Sequence, residues 1–225
     1  MSCRGEHIDS CGHGHDHGHG EECDHEAEDP DGQSMYSAID TSKVRCLNES
    51  EFGACLHPFK PYSRRREAEP CLDSHDDDPE LLLFVPFTRV VKLKSINIIG
   101  GHAGEGTAPT KIKLFMNRDD IDFSNCGELP AAQELELVAN AASMGDGGGI
   151  DYPLKVSKFQ NVDSLTIFFS ENEGSDVTSV SYVGFKGEVT TARHGVVECV
   201  YESAPQAADH KQDAGEFLLP DVSGN

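Results

Sequence analysis

Short apolar runs broken by polar residues and turn formers fill the chain from residue 81 to residue 201, and no run keeps a helical period over three turns. Leu81-Leu82-Leu83-Phe84-Val85-Pro86-Phe87 reads as a buried strand that ends at a Pro86 kink. Residues 90–99 are rich in Val and Ile. Residues 111–116 place Ile112, Leu114 and Met116 on one face, and residues 164–169 do the same for Leu165, Ile167 and Phe169. Residues 133–137 alternate cleanly, which predicts one wet face. Residues 177–185 and 196–201 complete the set, with a weaker strand near 154–156. The nearest approach to a helix, residues 131–144, alternates in its first half. About eight strands with no crossover helices predict an all-β, antiparallel β-sandwich or jelly roll.

Outside that region the pattern stops. Residues 1–33 hold almost no large apolar side chains, and residues 203–216 hold none. Such segments cannot bury enough surface to offset chain entropy. The expected organisation is a disordered His, Gly and acid-rich tail over 1–33, one folded domain over 34–202, and an acidic tail over 203–225. Order is expected to begin near Met35-Tyr36-Ser37-Ala38-Ile39.

The formal charge of −22 narrows the partners. The first 33 residues carry ten acids against one Arg, and the middle is acidic as well. Nucleic acid and anionic membrane both require Lys and Arg, so neither is expected. Basic proteins, cations and neutral ligands remain. Arg64-Arg65-Arg66 is followed by Glu67 and Glu69, as in a solvated loop rather than a nucleic-acid patch. No secretory signal or bilayer-length apolar run is seen, so the cytoplasm and nucleus are the expected location, with the eight Cys reduced. None of these Cys has C-x-x-C spacing. A sequon at Asn48-Glu49-Ser50 carries no meaning in that setting.

The sharpest chemical signal is His13-Gly14-His15-Asp16-His17-Gly18-His19, with Cys11, Cys23 and His25 nearby. Alternate spacing puts extended side chains on one side, and imidazole suits Zn, Ni or Cu. His13, His15, His17 and His19 are therefore candidate metal ligands, beside the plainer view of a solubilising tail. No other cofactor is expected. The loop 100–106, Gly-Gly-His-Ala-Gly-Glu-Gly, resembles a phosphate loop only faintly. A strand rather than a helix should follow it, so it is expected to connect strands; its place between two strands leaves a protein-binding rim open as the alternative. His75-Asp76-Asp77-Asp78 lacks the EF-hand pattern and is expected to be a solvated turn. His57 and His194 look like turn residues. Gln160 and Asn161 are expected to satisfy loop backbone groups with their amides. The apolar end 216–222 either docks into a partner or folds back. No G-x-S-x-G, H-E-x-x-H or deaminase zinc pattern occurs, and an enzyme is not expected.

A series of motifs adds to this picture. Tyr36-Ser37-Ala38-Ile39-Asp40, Cys46-Leu47-Asn48-Glu49, Val85-Pro86-Phe87 and Val91-Lys92-Leu93-Lys94-Ser95-Ile96-Asn97-Ile98 come first. Lys113-Leu114-Phe115-Met116-Asn117, Lys158-Phe159-Gln160-Asn161-Val162, Ser164-Leu165-Thr166-Ile167 and Tyr182-Val183-Gly184-Phe185-Lys186-Gly187 follow. Together they resemble the PITH domain over about residues 35–190. The resemblance implies a jelly roll similar to galactose-binding domains. In thioredoxin-linked relatives it also implies association with the proteasome regulatory particle. The Trp-Cys-x-x-Cys site of those relatives is absent, so no redox activity is implied. The expected function is a monomeric, non-enzymatic protein-interaction module, with the regulatory particle as the implied partner. The alternatives are a metal-responsive protein acting through its His-rich tail and a carbohydrate-like ligand binder at the sandwich rim.

Overall fold

A computed structural model describes residues 32–138 and 149–190. Its strands are β1 (Arg45–Leu47), β2 (Leu72–Asp73), β3 (Leu81–Gly100), β4 (Pro109–Met116), β5 (Gln133–Glu136), β6 (Asp151–Pro153), β7 (Val162–Asn172) and β8 (Ser179–Val189). Every pairing is antiparallel, and the main order is β2-β8-β3-β7-β4-β5. Short 3-10 turns at Tyr36–Ala38, Thr41–Lys43, Ala54–Leu56 and Tyr62–Arg64 are the only helical pieces among the described residues.

Strand β3 organises the sandwich. Its first part, Leu81 to Pro86, pairs with β7 on one side, and Leu82 to Phe84 pair with β1 on the other. From Val91 onward it pairs with β8, and Ser95 to Asn97 pair with β6. The register shifts between Pro86 and Val91, where the strand passes from one leaf to the other. Pro86 therefore does not end a strand, as the sequence suggested; it sits at a switch inside a 20-residue strand. Proline has no N–H for a ladder, and a switch point does not require one. Its carbonyl instead accepts a 2.9 Å bond from Asp40 N.

The core lies between the leaves. Leu81, Leu83 and Val85 of β3 meet Ile112 and Leu114 of β4 and Leu165, Ile167 and Phe169 of β7, all fully buried. Ile96 and Ile98, with Val180, Val183 and Phe185 of β8, belong to the same cluster. Burying one such side chain contributes roughly 1.5–3 kcal/mol, so this interior is the main stabiliser of the fold. Inward positions change parity after Leu93, where the β3–β8 register slips before Ser95. A bulge there turns Ile96 inward. A second, smaller cluster of Leu82, Phe115, Ile121, Cys126 and Phe168 covers the outer face of the β7 leaf.

Two expectations shift. The weak strand near 154–156 is realised earlier, as β6, and Leu154 is buried just past its end. The two short strands β1 and β2 were not foreseen. The expected strand at 196–201 lies outside the described residues, as do residues 1–31 with His13, His15, His17 and His19.

Candidate functional site

Two loops meet at one end of the sandwich. The loop 48–57 precedes the turn into β2, and the loop 101–108 carries the chain from β3 to β4. No helix follows the glycines of the second loop, as expected for a connector; β4 begins at Pro109.

Backbone chemistry fixes the first loop. The Glu49 carboxylate accepts Gly53 N–H at 3.1 Å and Cys55 N–H at 2.8 Å. Ser50 N donates to Asp73 O at 2.9 Å, tying the loop to β2. Gly53 has φ +89°, a left-handed value that a glycine tolerates without strain. Asn48, at φ +70°, donates its amide to Asp78 O at 3.1 Å and Glu80 O at 2.7 Å. The sequon asparagine is thus a structural brace. At the tip stands Phe52, 100% exposed, with Leu56 also exposed.

The second loop packs tightly. Gly101 N donates to Ser179 O, and Thr107 Oγ1 donates to Gly101 O at 3.2 Å. A Cβ at Gly101 would collide with Ser179 Oγ and Cys71 Sγ. His102 has φ +44°. It stands 3.6 Å from Glu69 Oε1 through Nδ1 and 3.4 Å from Asp73 Oδ1 through Nε2.

Between the loops runs an open groove of about 320 Å3, lined by Ser50, Asp73, Asp76, His102, Glu105 and Thr107 among others. Three carboxylates against one imidazole make it acidic. A smaller cleft of about 20 Å3 is lined by His102 with Pro109 and Leu137 among others. Neither depression is lined by an aromatic or amide side chain among the described residues.

Other foreseen residues fall as follows. Asp76, Asp77 and Asp78 are exposed in a turn that feeds β3, with Asp78 N donating to His75 O. His57 lies at a turn, its Nδ1 2.8 Å from Cys71 O. Arg64 forms a two-pronged bond with Glu67 at 2.8 and 2.7 Å, and Arg65 stacks on Tyr62 at 3.9 Å, so this basic triplet is locally engaged. Cys46, Cys55, Cys71 and Cys126 are free thiols. Burial, with the nearby Glu49 charge, pushes the Cys55 thiol up to about 11. Such a thiol stays protonated and inert at neutral pH.

Gln160 and Asn161 are corrected. Both are exposed, and the amide that satisfies this loop belongs to Asn117. Asn117 Nδ2 donates to Asn161 O at 2.9 Å, and its Oδ1 accepts from Asp163 N at 2.8 Å and Ser164 N at 3.2 Å. The left-handed position of Asn117, φ +53°, points its side chain across to the start of β7. Phe52 was also missed, because a lone Phe between Glu51 and Gly53 belongs to no periodic run.

The chain matches the PITH domain over residues 25–205. It belongs to the PITH domain family. A PITH domain-containing protein of Drosophila melanogaster is 41% identical over 211 residues, covering 90% of this chain and 94% of that protein. PITH domain-containing protein 1 of Dictyostelium discoideum is 36% identical over 199 residues, covering 88% and 95%. Among solved structures, the family 32 CBM from C. perfringens NanJ in complex with galactose is similar with a TM-score of 0.45 and 14% identity, covering 66% of this chain and 96% of that one. PITH membership supports a protein-interaction domain in general, and these relatives are named as domain-containing proteins rather than as enzymes.

Proposed function

We propose that this PITH domain is a non-enzymatic platform that holds partner proteins on its loop rim. The observation that carries this is Phe52, fully solvated on a loop pinned by Glu49 and next to an acidic groove. Interfaces draw most of their energy from a few aromatic or Arg anchors set in pockets. An apolar pocket flanked by Lys or Arg would fit both Phe52 and the groove, since complementary charge steers and registers a partner. The regulatory particle of the 26S proteasome is the partner implied by the resemblance. The platform acts as a monomer in the cytoplasm and nucleus, and its His-rich tail binds added Zn, Ni or Cu.

Affinity purification of the full chain at low salt, with mass spectrometry of bound proteins, tests this. Regulatory-particle subunits are expected, and they should fall at least about tenfold with Phe52→Ala, the loss typical of an anchor worth over about 1.4 kcal/mol. Absence of proteasome subunits would sink the partner assignment. Full retention of all partners by Phe52→Ala would sink the rim.

A further inference from the structure

We propose that Glu69, Cys71 and His102 form a binding site for a zinc-class divalent cation, with Asp73 holding the imidazole from behind. The site goes beyond the partner platform and shares no residue with the His-rich tail.

The donor set comes first. A carboxylate oxygen of Glu69, Sγ of Cys71 and a ring nitrogen of His102 all lie within 4.8 Å of one another. Zinc takes these three donor types at about 2.0–2.3 Å and prefers tetrahedral geometry, which sets donors about 3.3–3.6 Å apart. The observed separation of His102 Nδ1 from Glu69 Oε1 is 3.6 Å. Glu69, whose side chain is 68% exposed, can reorient toward a shared ion. Three protein ligands leave the fourth position to water.

The surroundings point the same way twice. Metal on Nδ1 leaves the imidazole proton on Nε2. That nitrogen faces Asp73, 3.4 Å from Oδ1 and 3.5 Å from Oδ2. Asp73 Oδ1 is buried and accepts no hydrogen bond, so a fixed Nε2–H aimed at this carboxylate would supply what it lacks. This is the carboxylate–histidine–metal arrangement that sets tautomer and raises ligand basicity. Ser179 Oγ is fully buried beside Cys71 Sγ, its hydrogen-bonding neighbour there. Both Ser179 Oγ and Cys71 Sγ crowd the space a Cβ at Gly101 would occupy. A hydroxyl beside a sulfur can donate to a thiolate, the form a metal requires.

Without a cation, Cys71 Sγ donates to Ala68 O at 2.8 Å. Binding would exchange that proton for the metal: the S–H bond breaks, an S–metal bond forms, and one proton leaves to solvent. Nothing is oxidised. Coordination would pin the segment before β2 to the loop after β3.

The test compares the zinc-stripped full chain with Cys71→Ser and His102→Gln. The tail is common to all three, so its cations cancel in the difference. After dialysis against dilute zinc, both variants should hold one zinc equivalent per chain fewer than the parent. Loaded instead with cobalt, the parent should show a sulfur-to-cobalt charge-transfer band that weakens in Cys71→Ser. Equal zinc content in parent and both variants would overturn the site, as would an unchanged cobalt band. If Cys71→Ser loses its β-sheet circular dichroism, His102→Gln decides alone. A lost equivalent with the β signal kept upholds the site, and an unchanged content refutes it.

Discussion

Replacing Asn117 with Ala should destabilise the domain by about 2.5–3.5 kcal/mol, although the side chain is on the surface. Three hydrogen bonds are lost, to Asn161 O, Asp163 N and Ser164 N. All three are solvent-exposed, so each contributes at the low end, about 0.5 kcal/mol. The backbone adds a second effect. Asn117 sits at φ +53°, where Asn is tolerated but Ala costs about 1–2 kcal/mol. Asn117→Asp separates the two. It keeps the left-handed preference and the two acceptor bonds and loses only the amide donor, so its cost should be about 0.5–1 kcal/mol. Urea unfolding of the full chain, read as a shift in midpoint at constant slope, measures both. An Ala variant within about 0.5 kcal/mol of the parent, or an Asp variant as damaged as Ala, would refute this account of the loop.

Two further outcomes follow from the same structure. Phe169→Ala opens a hole between the leaves at a fully buried side chain and should cost about 3–5 kcal/mol in the same urea assay; a loss below about 1 kcal/mol would mean the leaves do not pack as described. Glu80 has a carboxyl raised above 4.5, by burial first and then by the Asp78 charge. Its folded pKa exceeds the unfolded one, so its favourable contribution is full below about pH 4.5 and is lost as pH rises through the folded value. Glu80→Gln should therefore be more stable than the parent at pH 7, with the difference shrinking toward pH 4; denaturation series at the two pH values check this, and a gap that widens on acidification would reverse the sign.

Legibility in the sequence tracked the length of each periodic run. The faces of β4 and β7 were readable because Ile112 and Leu114, then Leu165, Ile167 and Phe169, alternate over enough residues to fix a side. Strand β3 was split in two because a proline ordinarily terminates pairing, and a leaf-to-leaf switch has no local signature. Strands β1 and β2 span three and two residues, too few to show any period. The rim was half legible. The 101–108 loop was placed correctly as a strand connector from its glycines, whereas the 48–57 loop was not foreseen. Cys71 and His102 could not be linked, since only the β2–β8 pairing and the close approach at Gly101 bring them together. Asn117 was likewise invisible as a brace, because its partners lie more than forty residues onward.

One backbone run laced into both halves of the sandwich removes any natural fault line. Neither half can peel away as a lid or be shed as a separate folding unit without tearing the ladder of the other. Amide exchange along β3 should then report a single opening event, that of the whole domain.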